Sequence, residues 1–250
     1  MSAADNLKTL LWTIAGHVEF QAGRLRGKGY DTPLVHEVAL TSSMLTQTPR
    51  LALDIGGNIG DYTAGLLARY PDLEVHVFEP SAVNIEKLQT RFAGQDSVTV
   101  VPFAASATAG EALLFANAAG SGLGSLTKRK LDHFNIPFEH QETIASIRVD
   151  DYWTQTLPGR DIDIVKIDVE GHELDVLNSF GDVIRRAKVV QFEFGGACID
   201  TRTYVQDLWY FFKDAGFDIY RISPLGLCPL KTYSERDEHF LYCNFVAVRR

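Results

Sequence analysis

Cysteine is scarce in this sequence: Cys198, Cys228 and Cys243 are the only three in 250 residues. They are too few and too far apart for a disulfide framework, and no Cys/His spacing suits a zinc site. Reduced thiols in a cytoplasmic protein are the expectation. Basic charge is also in short supply. The formal net charge is −8, and the clusters "RLRGK" and "TKRK" are too short for the basic patch of a nucleic-acid binder. No apolar run approaches the length of a membrane span. The N-terminal "LLWTIAGHV" lacks both the basic lead and the small-residue cleavage site of a signal peptide. Repeats and low-complexity tracts are missing as well. What is present is a composition of 46% hydrophobic and 22% charged residues, that of a globular chain long enough to bury a core.

Residues 1–49 read as a helical extension. "DNLKTLLWTIAGHVEF" places Leu7, Leu10, Leu11, Ile14 and Val18 at helical spacing, with Asp5 as the cap. "LVHEVALTSSMLTQT" offers a second helix, and Pro49 ends the pattern. Over residues 50–250 the rhythm becomes strand–helix alternation. "LALDIG", "EVHVFEP", "VTVVPFAAS", "DIDIVKIDVEG" and "AKVVQFEFG" read as strands. Asp61–Tyr70, Ala82–Phe92, His172–Ile184 and Thr203–Ala215 read as helices. The alternation predicts right-handed crossovers and an α/β, doubly wound, mostly parallel sheet covered on both faces. No helix separates "FDIYRIS" from "FLYCNFVAV", so the last strand should enter antiparallel. The stretch 110–157 is long for one connection and reads as a hairpin plus a loop. That loop, "AAGSGLGSLTKRK", is either plain surface or a lid over a site.

In such a sheet, ligands sit beyond the carboxyl ends of the strands, which directs attention to "LALDIGGNIGDYTAG". The dinucleotide fingerprint asks for glycine at its first, third and sixth positions, and Gly56, Asn58 and Asp61 meet only the first. No Gly-Lys-Ser/Thr follows, so a P-loop is excluded. An acid followed by small residues at every second position fits better: Asp54, Gly56, Asn58 and Gly60. Asparagine tolerates the left-handed conformation such a turn needs. A carboxylate at Asp54 would repel a pyrophosphate, yet it suits an ammonium and a nearby sulfonium. Glu79 ends the next strand, placed to accept hydrogen bonds from both ribose hydroxyls. Two acids around a nucleoside with a cationic, phosphate-free tail describe S-adenosylmethionine. Two other readings of the turn are a nicotinamide-dependent oxidoreductase and a non-catalytic nucleoside-binding scaffold.

The motifs "DIGGNIGDYT", "VFEPSAVNIEKL", "SGLGSL", "KIDVEGHELDVL" and "VVQFEFG" follow one another in the order and spacing of the FkbM family of S-adenosylmethionine-dependent methyltransferases, which this chain resembles from about Leu51 to Val248. The resemblance implies a class I methyltransferase (Rossmann-like) fold with a seven-stranded sheet, and O-methylation of a hydroxyl on a sugar, glycoconjugate or small natural product. Within "DIDIVKIDVEG", Ile164, Lys166 and Asp168 share one face of the strand. A lysine mid-strand should be buried and needs a partner, and Glu193 is the expected one. Asp168, at the strand end, would contribute to cofactor binding and orient the acceptor hydroxyl. His172 is the candidate general base by its ordinary pKa, although it occupies the variable position of the E-G-x-E pattern. Glu170 would cap a helix or tie down neighbouring loops. Asp168, Glu170 and Glu193 offer hard oxygen ligands of the kind Mg2+ takes, but no spacing requires a metal. The expected partner is a small-molecule or glycan acceptor, with the N-terminal helices available as a homodimer interface.

Overall fold

A computed structural model describes residues 3–250, with side chains described from Asp5 onward. The chain opens with helix α1 (Ala3–Leu25) and α2 (Leu34–Ser42). Strand β1 (Leu51–Ile55), α3 (Asp61–Arg69), β2 (Glu74–Phe78), α4 (Ala82–Arg91) and β3 (Val98–Val101) form the first winding. A smaller unit follows: β4 (Ala104–Ala105), β5 (Gly110–Ala116), β6 (His140–Ile147) and α5 (Val149–Thr156). The second winding comprises β7 (Ile162–Ile167), α6 (Glu173–Ser179), β8 (Ala187–Phe194), α7 (Ala197–Thr201), α8 (Val205–Asp214), β9 (Phe217–Ser223), β10 (Gly226–Pro229) and β11 (Cys243–Arg249).

The main sheet has the strand order β10-β9-β11-β8-β7-β1-β2-β3. Strands β3, β2, β1, β7 and β8 run parallel, and β11 lies antiparallel between β8 and β9, as the missing helix implies. The sheet has eight strands rather than seven, because the chain after β9 turns back at once and adds β10 as an edge hairpin. Residues 51–55 and 162–167 are buried throughout, which their near-continuous apolar runs anticipate for parallel strands covered on both faces. Leu53, Val165 and Ile167 pack into the cluster on one face, and Ala52, Val77 and Ile164 into that on the other.

Three details differ from the sequence pattern. Pro102 cannot continue the ladder, so "VTVVPFAAS" divides between the main sheet and β4, which pairs with β6 in a separate three-stranded sheet. The helix expected over His172–Ile184 stops at Ser179, and a 3-10 stretch, Gly181–Arg186, begins at a glycine with φ of +48°. Helix α1 forms where its periodicity places it, yet every side chain from Asp5 to Ala22 is exposed. Helix α2, in contrast, packs Val38 against Tyr62 and Leu66 of α3 and the sheet beneath.

Candidate active site

The turn after β1 is tied to β2 because the amides of Gly56 and Gly57 both donate to the Phe78 carbonyl, at 3.0 and 2.9 Å. Gly56 has φ of +79°, and a Cβ there would lie 1.8 Å from the Asp168 carbonyl oxygen, so no other residue fits between these two strand ends. Asn58 takes the left-handed conformation anticipated for it, with φ of +49°. Its amide donates to Oε2 of Glu79 at 2.9 Å, and its Oδ1 accepts from Asn84 at 3.0 Å. Oε1 of Glu79 accepts the Ser81 amide at 3.0 Å. Glu79 is therefore fixed at the β2 end with unused lone pairs turned to the cleft. Burial pushes its pKa up, against the pull of those amides.

Lys166 is buried in the middle of the sheet, but its partner is not Glu193. The β7–β8 register sets Gln191 opposite Lys166, one pleat short of Glu193. The ammonium instead donates to the Gly56 carbonyl at 2.9 Å and pairs with Asp168 at 3.2 Å and Asp54 at 3.6 Å. Asp54 is wholly buried, and its other oxygen accepts the Thr63 hydroxyl at 2.6 Å. It lines neither cavity described below. The acid that begins the glycine turn thus holds Lys166, and Lys166 holds Asp168. Despite a desolvation penalty, these carboxylates raise the lysine's pKa, so it is charged.

Glu170 sits at φ of +53° and pairs with Arg129 at 2.5 Å, and Arg129 also reaches Asp200 at 3.5 Å. The Ser125 hydroxyl donates to the Glu170 carbonyl at 2.8 Å. His172 contacts Asp175 through Nδ1 at 2.7 Å and the Thr127 hydroxyl through Nε2 at 3.0 Å. Three consecutive contacts, from Ser125, Thr127 and Arg129, thus clamp the "GSLTKR" loop over the end of β7. The loop covers the cleft, with Gly120, Ser121 and Gly122 among its lining. Both nitrogens of His172 are thus engaged, Nε2 by the loop and Nδ1 by Asp175 of α6. Glu173, the second acid of E-G-x-E, is buried and accepts the amides of Val169 and Gly171 at 3.1 and 3.2 Å, closing the turn that presents Asp168. Glu193 faces Asp168, and burial together with the charges of Asp168 and Glu170 drives its pKa well up. Among the described residues no group of three or more His, Cys, Asp or Glu is arranged to hold a metal ion.

Two cavities meet at Gly56, Asn58, Gly122 and Asp168. The larger in total empty space, about 730 Å3 with its open mouth included, runs past Glu79 toward Phe78, Phe103, Ala104 and Leu114. The smaller, about 570 Å3, is walled by Leu34, Glu37, Tyr62, Lys166 and Asp168. Sequence reasoning missed Glu37 of α2. Its carboxylate accepts from Gln191 at 3.1 Å and from Asn244 at 2.7 Å, with the Tyr242 hydroxyl at 3.5 Å. Gln191 is itself locked, its carbonyl oxygen receiving the Thr41 and Tyr62 hydroxyls at 2.6 and 2.8 Å. Burial pushes the pKa of Glu37 up to about 7. A signal was there to be read: Leu34, Glu37, Val38 and Thr41 share one helical face, and an acid on a buried face needs a reason.

The model of the "Methyltransferase FkbM domain" matches residues 54–219, which run from the acid of the turn into β9. The chain belongs to the FkbM methyltransferase family. This FkbM protein is 28% identical over 198 residues to "Methyltransferase sdnD" of Sordaria araneosa, covering 68% of the chain and 74% of that relative. The crystal structure of an FkbM methyltransferase from Methylobacillus flagellatus KT superposes with a TM-score of 0.52 at 17% identity. That match covers 86% of this chain and 48% of the other, so the chain spans about half the length of the solved protein, and the likeness shows the fold. The family is one of methyltransferases, the resemblance to it implies S-adenosylmethionine as the methyl donor, and the nicotinamide reading has no support in these matches. No helix among the described residues is long and apolar enough to cross a membrane.

The residues present fit this cofactor. The cleft past Glu79 is apolar on its far walls, with a carboxylate at its neck. At the junction stands Asp168, 37% exposed at the side chain.

Proposed function

We propose that this FkbM protein transfers a methyl group to a hydroxyl of a sugar, glycoconjugate or small natural product. In this reading the larger cavity takes the adenosine, with Glu79 on the ribose hydroxyls and Phe78 and Phe103 flanking the base. The smaller cavity takes the amino-acid tail. Glu37, the buried carboxylate that opens onto it, receives the ammonium, a role the sequence alone assigned to Asp54. Asp54 acts one step back, by fixing Lys166. The acceptor approaches the junction at Asp168, and no nucleic acid is needed as substrate.

S-adenosylmethionine, when bound, supplies a methyl group on a sulfonium whose departure as a thioether needs no acid. The chain's own contribution is therefore position and one proton. Asp168, aimed by Lys166, accepts a hydrogen bond from the acceptor hydroxyl and sets the direction of its lone pair. As the new oxygen–carbon bond forms, that hydroxyl must lose its proton. The Asp168 carboxylate takes it and, 37% exposed at the side chain, passes it on to water, while burial and the neighbouring charges disfavour a second negative charge on Glu193. His172, occupied at both nitrogens, holds the cover loop and stays out of the proton transfer. Glu170 does the same through Arg129. No metal is assigned. The position of Asp168 at the meeting point of the two cavities carries this proposal. Incubation with labelled cofactor and a panel of sugars, polyols, phenols and amines tests it. O-methyl products identified by mass spectrometry and NMR are expected. Methylation confined to nitrogen or carbon would refute the hydroxyl assignment.

A further inference from the structure

We propose that the groove between the C-terminal half of α1 and residues 236–241 binds the phosphate group of a small phosphate ester, at a site separate from the methyl-transfer cavities. The groove holds about 1130 Å3 with its open mouth included, and none of its lining residues borders either cavity at Asp168. Three cations converge on it: Arg26 and Lys28, just past the end of α1, and Arg236 on the facing segment. In a chain of net charge −8, carboxylates are plentiful. Yet none of these three cations forms an ion pair among the described residues.

The acids nearby are spent elsewhere. Glu238 accepts the amides of Val205 and Gln206 at 3.0 and 2.9 Å, at the start of α8, and the Tyr233 hydroxyl at 2.9 Å. Asp237 pairs with Arg221 at 3.3 Å. Glu19, exposed on the α1 wall, is the one uncommitted acid lining the groove. Three cations against one free acid leave an excess of two positive charges.

The donors are partly set in place. The Lys28 ammonium donates to the Arg236 carbonyl, which ties the two sides of the groove together and leaves two of its protons free. Burial, with the charges of Arg221 and Arg26, pulls its pKa down, a repulsion that a bound anion would relieve. His239 lines the same wall. Burial, with Arg221 and Lys28, lowers its pKa to about 3, and burial raises that of Cys243 to about 12. A neutral imidazole therefore meets a protonated thiol, whose sulfur lies 3.8 Å from Nε2. The thiol donates to Nε2, so the ring proton sits on Nδ1, which has no hydrogen-bond partner. The wall gains an N–H donor without a fourth charge.

This set selects the anion. Two guanidiniums and an ammonium can each meet a different oxygen of a tetrahedral oxyanion, and the excess of two charges matches a phosphomonoester dianion. A carboxylate brings two oxygens and half the charge. A nucleic-acid backbone needs a longer basic surface than three residues. Phe20 and Leu241 supply an apolar wall for the body of the ester.

Calorimetric titration of the full chain with phenyl phosphate, inorganic phosphate and benzoate at low salt tests this. Phenyl phosphate should bind with a Kd of about 1 mM or below, and inorganic phosphate and benzoate roughly tenfold more weakly. Saturating S-adenosylhomocysteine should leave these affinities unchanged. Arg26→Gln and Arg236→Gln should each weaken phenyl phosphate about tenfold, and Glu19→Gln should tighten it about threefold. Both arginines are exposed and make no side-chain hydrogen bond among the described residues, so an unchanged melting temperature is expected of these variants. No heat with about 10 mM phenyl phosphate overturns the proposal. So does equal affinity for benzoate, displacement by S-adenosylhomocysteine, or unchanged affinity in both arginine variants. Pelleting of the chain with phosphatidic acid vesicles, without binding of the soluble ester, would assign the groove to a lipid phosphate and overturn it too.

Discussion

Replacing Lys166 with methionine should destabilise the protein by about 3 kcal/mol, the low end for breaking a buried ion pair from one side. Two carboxylates lose their cation, but they differ in what they can do about it. Asp168 is 37% exposed and can turn to water. Asp54 is sealed, with the Thr63 hydroxyl as its one remaining strong partner. The cost therefore resides mainly in Asp54. For a chain of 250 residues, about 3 kcal/mol lowers the melting temperature by roughly 6–12 °C. Adding Asp54→Asn to Lys166→Met removes the stranded charge and should recover about half of that loss. Adding Glu193→Gln instead should recover none, since Glu193 lies one pleat beyond the lysine. Calorimetric melting of the wild type, both double variants and their singles forms two complete cycles. Rescue by Glu193→Gln with none by Asp54→Asn would refute the pairing and the strand register behind it.

Four further outcomes follow from the site. Glu79→Ala should weaken S-adenosylhomocysteine and 5′-methylthioadenosine alike, by roughly 10- to 100-fold for the loss of charge-assisted hydrogen bonds to ribose, and calorimetry reads both. Glu37→Gln should weaken only S-adenosylhomocysteine, by roughly 30-fold, because methylthioadenosine has no ammonium to lose; equal weakening of both would refute the role of Glu37. The pKa of Glu37 is raised to about 7 from an ordinary 4.5, so the empty protein holds a proton that an ammonium ligand displaces. Tail-dependent affinity should therefore rise between pH 6 and 8, with proton release that vanishes in Glu37→Gln. The same group contributes a loss of stability as pH climbs from 4.5 through about 7, since the unfolded chain ionises first. Asp168→Asn should lower turnover about 100-fold or more while leaving S-adenosylhomocysteine affinity within a few-fold.

Much of this architecture was legible because parallel strands and their crossovers leave simple marks. Continuous apolar runs mark β1 and β7, and an acid marks the end of β2. Asn58 was readable as a left-handed turn residue, since few side chains tolerate that backbone. The pairing of Lys166 was not readable, because it depends on strand register and on a main-chain carbonyl, Gly56, that sequence does not advertise. Glu37 was missed for a related reason. Its neighbours Gln191, Asn244 and Tyr242 lie more than 150 residues away, and only the folded sheet brings them to α2. The glycines left the loop open between plain surface and lid, and the contacts of Ser125, Thr127 and Arg129 with the residues that follow β7 are not readable from them. His172 looked like a base on pKa alone, and geometry gives its Nε2 to the loop and its Nδ1 to Asp175.

A crystal structure with S-adenosylhomocysteine bound tests the two-cavity account most directly. The ribose hydroxyls should lie within hydrogen-bond distance of Glu79, the ammonium at Glu37, and the sulfur at the junction facing Asp168. An amino-acid tail lying away from Glu37, or a sulfur remote from Asp168, would contradict it.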